Sequence, residues 1–101
     1  MPLTLDAQLQ PSPDAIAREL PGADGSPEGV ILNIATHQYF SLNASGLRIW
    51  KIIEHREPLS AAVQDLMSGF DVEPERAEAA VLRLADELSA AELVKPVDDA
   101  A

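Results

Sequence analysis

Short β-branched runs dominate the first half of the chain, and helical spacing dominates the second half. Residues 29–34 form a β-branched run typical of a largely buried strand. Residues 35–38 can turn the chain, and residues 39–42 return it as a second strand with Phe40 and Leu42 on one face. The pattern therefore predicts a β-hairpin with a turn longer than two residues.

The segments before this hairpin are harder to assign. Residues 15–20 fit either a short first strand or a helical turn, and residues 21–27 are rich in turn-forming Pro and Gly. Three prolines in residues 1–14 interrupt any regular element, so we expect a mobile or loosely docked arm there. With residues 96–101 predicted as a frayed acidic tail, the folded domain is expected to span residues 15–95.

The hydrophobic period becomes helical from Asn43 onward. Asn43 is a good N-cap residue, because its side-chain oxygen accepts hydrogen bonds from free backbone N–H groups. The pattern predicts one buried stripe on this first helix, at Gly46, Ile49, Trp50 and Ile53. Pro58 is expected to end the helix.

Two further helices follow. Ser60 is a plausible cap for the second, which ends near Gly69, and Pro74 suits the first turn of the third. The inward positions predicted for the second helix are Val63, Leu66, Met67 and Phe70. Those predicted for the third helix and the segment closing the core are Ala77, Val81, Leu84, Leu88, Ala91, Leu93 and Val94. The element order predicts an α+β, winged helix-turn-helix-like fold, with a three-stranded antiparallel sheet followed by three helices.

Composition and charge limit the classes of partner that the chain can bind. The chain has 101 residues, enough for one domain, and 47% of them are hydrophobic. Seventeen acidic against seven basic residues give a net charge of −10, which disfavours nucleic acid as a partner. No apolar run approaches the ~20 residues that span a bilayer, and the N-terminus does not resemble a signal peptide. We therefore expect a cytoplasmic protein with no membrane partner.

Candidate catalytic chemistry is sparse. The absence of cysteine excludes thiolate zinc sites and a cysteine nucleophile. The two histidines, His37 and His55, have no neighbouring ligand at metal spacing, and the acidic pairs fall on polar helix faces. No phosphate-binding loop or hydrolase motif is present. We predict no enzyme activity, no metal and no cofactor.

The pattern also leaves two other classes of function open. A winged-helix transcriptional regulator would place its third helix on DNA, but that helix offers only Arg76 and Arg83 among five acids. A structural subunit could dimerise through its edge strand. For the oligomeric state we expect a monomer, or a weak or hairpin-swapped dimer.

The strand over residues 37–42 is the candidate binding edge. An exposed edge strand is a template for an added peptide strand. The alternative, equally compatible with the pattern, is a core strand whose edge is capped by the N-terminal arm.

The run from Val30 to Val94 resembles the PqqD family, also called the precursor-peptide recognition element of ribosomally made, modified peptides. The resemblance rests on an ordered set of pieces: residues 30–34, 36–43, Gly46, Ile49, Trp50, residues 70–72, 74–88, Leu93 and Val94. It implies a non-catalytic winged-helix-like adaptor. Such an adaptor binds the leader segment of a precursor peptide as a strand and presents it to a leader peptidase or modifying enzyme.

Carried onto this chain, the resemblance implies a peptide site between the third strand and the third helix. The strand positions are His37, Gln38, Tyr39, Phe40, Ser41 and Leu42, and the helix positions are Arg76, Ala80, Arg83, Leu84 and Glu87. Arg76 and Arg83 are expected to pair with leader carboxylates. For Arg83, an i,i+4 salt bridge to Glu87 is a serious alternative.

Three positions depart from the family pattern. Many relatives have Gly where His37 and Glu92 stand, and an acidic residue where Ala80 stands. The stretch over residues 39–43 looks most like the free-standing partner proteins of lasso-peptide systems. A partner of a radical-SAM enzyme, as in pyrroloquinoline quinone synthesis, is the alternative.

Overall fold

The computed structural model describes residues 4–22 and 25–97. Its elements in chain order are β1 (Leu9–Pro11), β2 (Ala15–Pro21), β3 (Pro27–Asn33), β4 (Gln38–Leu42), α1 (Ala44–Glu54), α2 (Leu59–Gly69), α3 (Pro74–Ala90) and β5 (Val94–Pro96). Strands β2, β3 and β4 form an antiparallel sheet in that order. The predicted fold class is confirmed, and residues 15–20 are a strand rather than a helical turn.

A second, two-stranded sheet joins the two ends of the chain. Strand β1 pairs antiparallel with β5, and Leu9 is only 1% exposed. The prediction that prolines keep residues 1–14 from forming any regular element is therefore wrong. Pro11 is tolerated because it ends a strand in a two-stranded sheet, where a missing N–H donor costs little. The predicted domain boundary at residue 15 stays a prediction, and residues 98–101 of the predicted tail lie outside the described part.

The hairpin forms with Ile31 opposite Phe40 and a turn over residues 34–37. Ile34, predicted as the end of the strand, lies instead in the turn and is 45% exposed. His37 also lies in the turn. Its φ of 64° is in the left-handed region, which an extended strand cannot contain. Strand β4 therefore begins at Gln38, between the two predicted starts at residues 37 and 39.

Helix α1 follows the sequence prediction closely. The Asn43 side-chain oxygen accepts a hydrogen bond from the Gly46 N–H at 2.8 Å, which confirms the predicted cap. All four positions of the predicted stripe are buried, with Trp50 only 2% exposed. The helix ends at Glu54, four residues before Pro58.

Helix α2 departs from its prediction. It begins at Leu59, so Ser60 lies inside its first turn and Pro58 occupies the cap position. Met67 and Phe70 are 42% and 38% exposed rather than inward. The buried arc is set by four residues, Leu59, Ala62, Val63 and Leu66. Met67 falls at the margin of that arc, and Phe70 lies beyond the helix end in extended conformation.

Helix α3 begins at Pro74 as predicted. Its fully buried residues are Ala77, Val81, Ala85 and Leu88. Leu84 and Ala91 are only partly buried, because both lie at one margin of the arc that the buried residues form. Leu84 is thereby left at the margin of the core, where it lines a groove. In the described ranges no helix is long and apolar enough to cross a membrane.

Candidate functional site

Among the described residues, strand β4 has one free edge, because it ends the order β2-β3-β4. The Ile34 N–H donates to the Asp14 carbonyl at 2.9 Å, so the even-numbered residues of β3 direct their backbone polar groups toward β2. By alternation, the odd-numbered residues of β3 face β4. Their partners in β4 are Gln38, Phe40 and Leu42. The backbone N–H and C=O groups of Tyr39 and Ser41 consequently point to the free edge.

A groove of about 590 Å³ lies between β4 and α3. Seven of the predicted site residues line it: Phe40, Ser41, Leu42, Ala80, Arg83, Leu84 and Glu87. We call it the β4–α3 groove. Ile49 and Gly46 of α1 also line it. The apolar side chains of β4, α1 and α3 give it a surface suited to apolar side chains of a ligand.

The charged residues of the β4–α3 groove are Glu28, Arg83 and Glu87. The Arg83 Nε lies 3.5 Å from the Glu87 carboxylate, so the predicted i,i+4 salt bridge is present. The Arg83 side chain is nonetheless 83% exposed, and such surface pairs contribute little free energy. Arg83 therefore remains available to a ligand carboxylate. Arg76, the other predicted arginine, is not among the residues that line the groove.

A second recess lies at the turn end of β4, and we call it the turn recess. It is lined by Asn33, His37, Gln38, Tyr39, Phe40, Ala91 and Leu93. Three more of the predicted site residues, His37, Gln38 and Tyr39, therefore border it, together with Phe40. Phe40 lines both this recess and the β4–α3 groove, so the two lie along the same strand.

Asn33 is the residue of this region that the sequence interpretation missed. It is 2% exposed, and its amide nitrogen donates to the carbonyls of Ala91 and Glu92 at 3.2 and 3.3 Å. Its oxygen accepts from the N–H groups of Ala35 and Thr36 at 2.9 and 3.2 Å. The side chain thus ties the hairpin turn to the segment after α3. The detectable sign was a polar amide at the end of an apolar strand, directly before a turn.

At His37 and Glu92, where many relatives have glycine, the backbone keeps the conformation that glycine favours. His37 has φ of 64° and Glu92 has φ of 60°, both in the left-handed region. Non-glycine residues adopt this region at a cost of about 1–2 kcal/mol. The substitutions therefore leave the turn and the end of α3 in place and store strain at two points beside the turn recess.

In the described ranges, no group of three or more His, Asp or Glu side chains is placed to hold a metal ion. What the site offers is a free backbone edge beside a mixed apolar and charged groove. This combination is suited to binding an extended peptide.

Residues 28–94 match the model of the family described as coenzyme PQQ synthesis protein D, PqqD. No curated protein matches the chain. Two solved structures share the fold. One is TbiB1 in complex with the TbiA(beta) leader peptide, with 24% identity, a TM-score of 0.75, and coverage of 89% of this chain and 99% of that one. The other is lasso peptide synthetase B1 complexed with the leader peptide, with 21% identity, a TM-score of 0.72, and coverage of 89% and 100%. Since the matched family model spans well over half of its residues, the chain belongs to the PqqD family.

Proposed function

We propose that this protein is a non-catalytic adaptor that binds the leader segment of a ribosomally made precursor peptide. The observation that carries the proposal is the free edge of β4, which lies directly beside the β4–α3 groove. The two structures that share the fold are both complexes with a leader peptide, and this supports the same role here.

The leader is proposed to add to the sheet as a fourth strand. Its backbone would exchange hydrogen bonds with the free N–H and C=O groups of Tyr39 and Ser41. Alternate side chains of an added strand point to the same face, so every second leader residue would enter the groove toward Leu42 and Leu84. The main-chain bonds would supply affinity, and the groove would supply specificity.

Electrostatics are proposed to orient the leader. The chain carries a net charge of −10, and Arg83 is the one basic residue among those that line the β4–α3 groove. A leader carboxylate that reaches Arg83 would compete with Glu87 for the same guanidinium. Arg76 lies outside the groove lining and would contact only a leader that extends toward the start of α3.

The bound leader is then handed to an enzyme in the cytoplasm. We favour a lasso-peptide system, in which that enzyme is a separate leader peptidase. The resemblance of residues 39–43 to free-standing lasso-peptide partners supports this choice. A radical-SAM enzyme is the alternative recipient.

The test is fluorescence anisotropy with a labelled leader peptide from the precursor encoded beside this chain's gene. The proposal requires saturable binding that unlabelled leader competes and the core segment does not. Ser41→Pro removes one N–H donor from the free edge, where proline is tolerated structurally, and should weaken binding at least tenfold.

Glu19→Pro is the matched control. Glu19 lies on β2, the opposite edge of the same sheet, and by the same alternation its N–H points away from β3. This variant should bind the leader like the unmodified chain. Equal binding by a folded Ser41→Pro variant would show that strand addition at β4 is wrong.

A further inference from the structure

Strand β3 extends beyond β4 at the end of the sheet opposite the hairpin turn. The last pair between the two strands is Gly29 with Leu42, whereas β3 continues along β2 as far as Pro27. Strand β4 stops at Leu42 because the next residue, Asn43, is the N-cap that turns the chain into α1. Among the described residues, Glu28 therefore has a strand neighbour on its β2 side only.

Glu28 lies at this end of the β4–α3 groove. It is exposed, and it lines the groove together with Asn43 and Ser45 at the start of α1. A peptide strand added to β4 and continued past Leu42 would run about 9–10 Å from the backbone of β3, which is two strand spacings. A glutamate and a lysine or arginine side chain together can bridge that gap. The next side chain that such a peptide meets is therefore Glu28.

Glu28 carries the unpaired charge of the groove. The charged residues that line it are Glu28, Arg83 and Glu87. Arg83 and Glu87 lie 3.5 Å apart and compensate each other. None of the three ion pairs among the described residues includes Glu28. The net negative charge of the β4–α3 groove is thus located at its Leu42 end.

Binding of a peptide changes the surroundings of this carboxylate. A ligand that fills the groove removes water from Glu28, and an ionised carboxylate that loses water without gaining a partner opposes binding. A lysine or arginine of the ligand would replace the lost water with a charge-assisted hydrogen bond. Glu28 would therefore favour peptides with a basic side chain at this position and disfavour those with an apolar or acidic one.

The free carboxylate and the Arg83 guanidinium lie at different places along the groove. Ala91, directly after α3, borders the turn recess with His37, so α3 ends at the turn end of β4. At 1.5 Å per helical residue, Arg83 lies about 12 Å before Ala91, toward the other end. Glu28 lies beyond Leu42, at that other end. A leader that uses both contacts would place its acidic residue nearer the turn and its basic residue nearer Leu42.

We propose that Glu28 selects leader peptides that carry a lysine or arginine at the end of the added strand beside Leu42. The inference rests on the proposed function and assigns that site a specificity-determining residue. It adds β3 to the two elements, β4 and α3, that the leader was expected to contact.

The test is a charge exchange between the chain and the labelled leader peptide, measured by fluorescence anisotropy. Glu28→Lys should weaken leader binding about tenfold, and Glu28→Gln about threefold, because the first substitution repels the leader cation and the second only removes the attraction. Each lysine and arginine of the leader is then replaced by glutamate, one at a time. One of these leaders should bind the Glu28→Lys variant more tightly than the unmodified leader does, and the unmodified chain more weakly.

Glu78→Lys is the matched control, because it changes the net charge equally at an exposed position of α3 that does not line the groove. Its leader affinity should stay within about twofold of the unmodified chain. If Glu28→Lys gives no cooperative thermal transition, the exchange is run with Glu28→Gln, which should lose its preference for the unmodified leader over one of the glutamate leaders.

Three results would overturn the inference: a leader without lysine or arginine, equal leader binding by the Glu28 and Glu78 variants, or no glutamate leader that responds to the residue at position 28. Failure of the proposed function would look different, since the unmodified chain would then give no anisotropy change with the leader.

Discussion

At the residue scale, Asn33 is the side chain on which the hairpin turn most depends. Its four hydrogen bonds satisfy two N–H groups of the turn and two carbonyls after α3. Asn33→Ala should lower the free energy of unfolding by about 2–3 kcal/mol, because these groups lose their partner in a buried place. Urea denaturation measures the loss.

Asn43→Ala provides the comparison for Asn33. Asn43 is exposed and caps α1 through the Gly46 N–H, so its loss should cost only about 1 kcal/mol. A smaller effect at Asn33 than at Asn43 would contradict the role given to the buried amide.

At His37 a substitution should have the opposite effect and stabilise the protein. Its φ of 64° strains any side chain with a Cβ, so His37→Gly should raise the free energy of unfolding by about 0.5–1 kcal/mol. Thr36→Gly in the same turn should lower it, since Thr36 does not have positive φ. Thermal unfolding of the two variants measures both changes, and a destabilised His37→Gly variant would refute the strain.

At the element scale, the parts that the sequence predicted are those with a strong local pattern. The stripe of α1 and its Asn43 cap were predicted, because a period of 3.6 and a capping residue are local properties. Strands β1 and β5 were missed, because three residues carry no periodicity and their pairing joins distant parts of the chain. The start of β4 lies between the two predicted positions, residues 37 and 39, because the positive φ of His37 cannot be read from the hydrophobic pattern.

The groove was predicted only in part for a similar reason. Its two walls, β4 and α3, came from the family resemblance, and Leu42 and Leu84 do line it. Arg76 was included although it lies outside the lining. Which helical positions face a strand depends on how the helix packs, and α3 buries Ala85 but leaves Leu84 at the margin of its buried arc.

Helices α1 and α2 are joined by a bidentate pair. Arg48 Nε and Nη2 donate to the two Asp65 oxygens at 2.7 and 3.1 Å. These hydrogen bonds hold the pKa of the Asp65 carboxyl below its usual value, with partial burial opposing them. The Arg48 guanidinium also lies 5.4 Å from the centre of the Phe70 ring.

The Asp65→Asn variant should therefore lose stability in a pH-dependent way. A lowered folded-state pKa stabilises the protein above the unfolded-state value, near 3.9 for Asp, and this contribution disappears as pH falls through the folded-state pKa. Since both side chains are about a third exposed, at 39% and 33%, we expect a loss under about 1 kcal/mol at pH 7. Denaturation at pH 7 and at pH ~2.5 tests this, because an equal difference at both values would contradict the assignment.

At the scale of the whole molecule, the pairing of β1 with β5 joins the two ends of the chain against one core. Leu9 is 1% exposed and packs in the same cluster as Trp50 and Leu88. Leu9→Ala should lower the free energy of unfolding by about 2–4 kcal/mol. Leu20→Ala, at a site 45% exposed, should change it by less than about 0.5 kcal/mol. Equal effects in chemical denaturation would mean that β1 is not part of the cooperative fold.

The central claim concerns the same whole-molecule arrangement, in which a leader peptide adds to the free edge of β4. Amide hydrogen exchange, followed by NMR with and without saturating leader, tests it at single residues. The account predicts that exchange at the Tyr39 and Ser41 N–H groups slows at least tenfold with leader bound, because both then donate to the added strand. The N–H groups of Ala17 and Glu19, on the opposite edge, should exchange at unchanged rates. Bound leader that leaves Tyr39 and Ser41 unprotected would contradict strand addition at β4 and place the peptide elsewhere on the molecule.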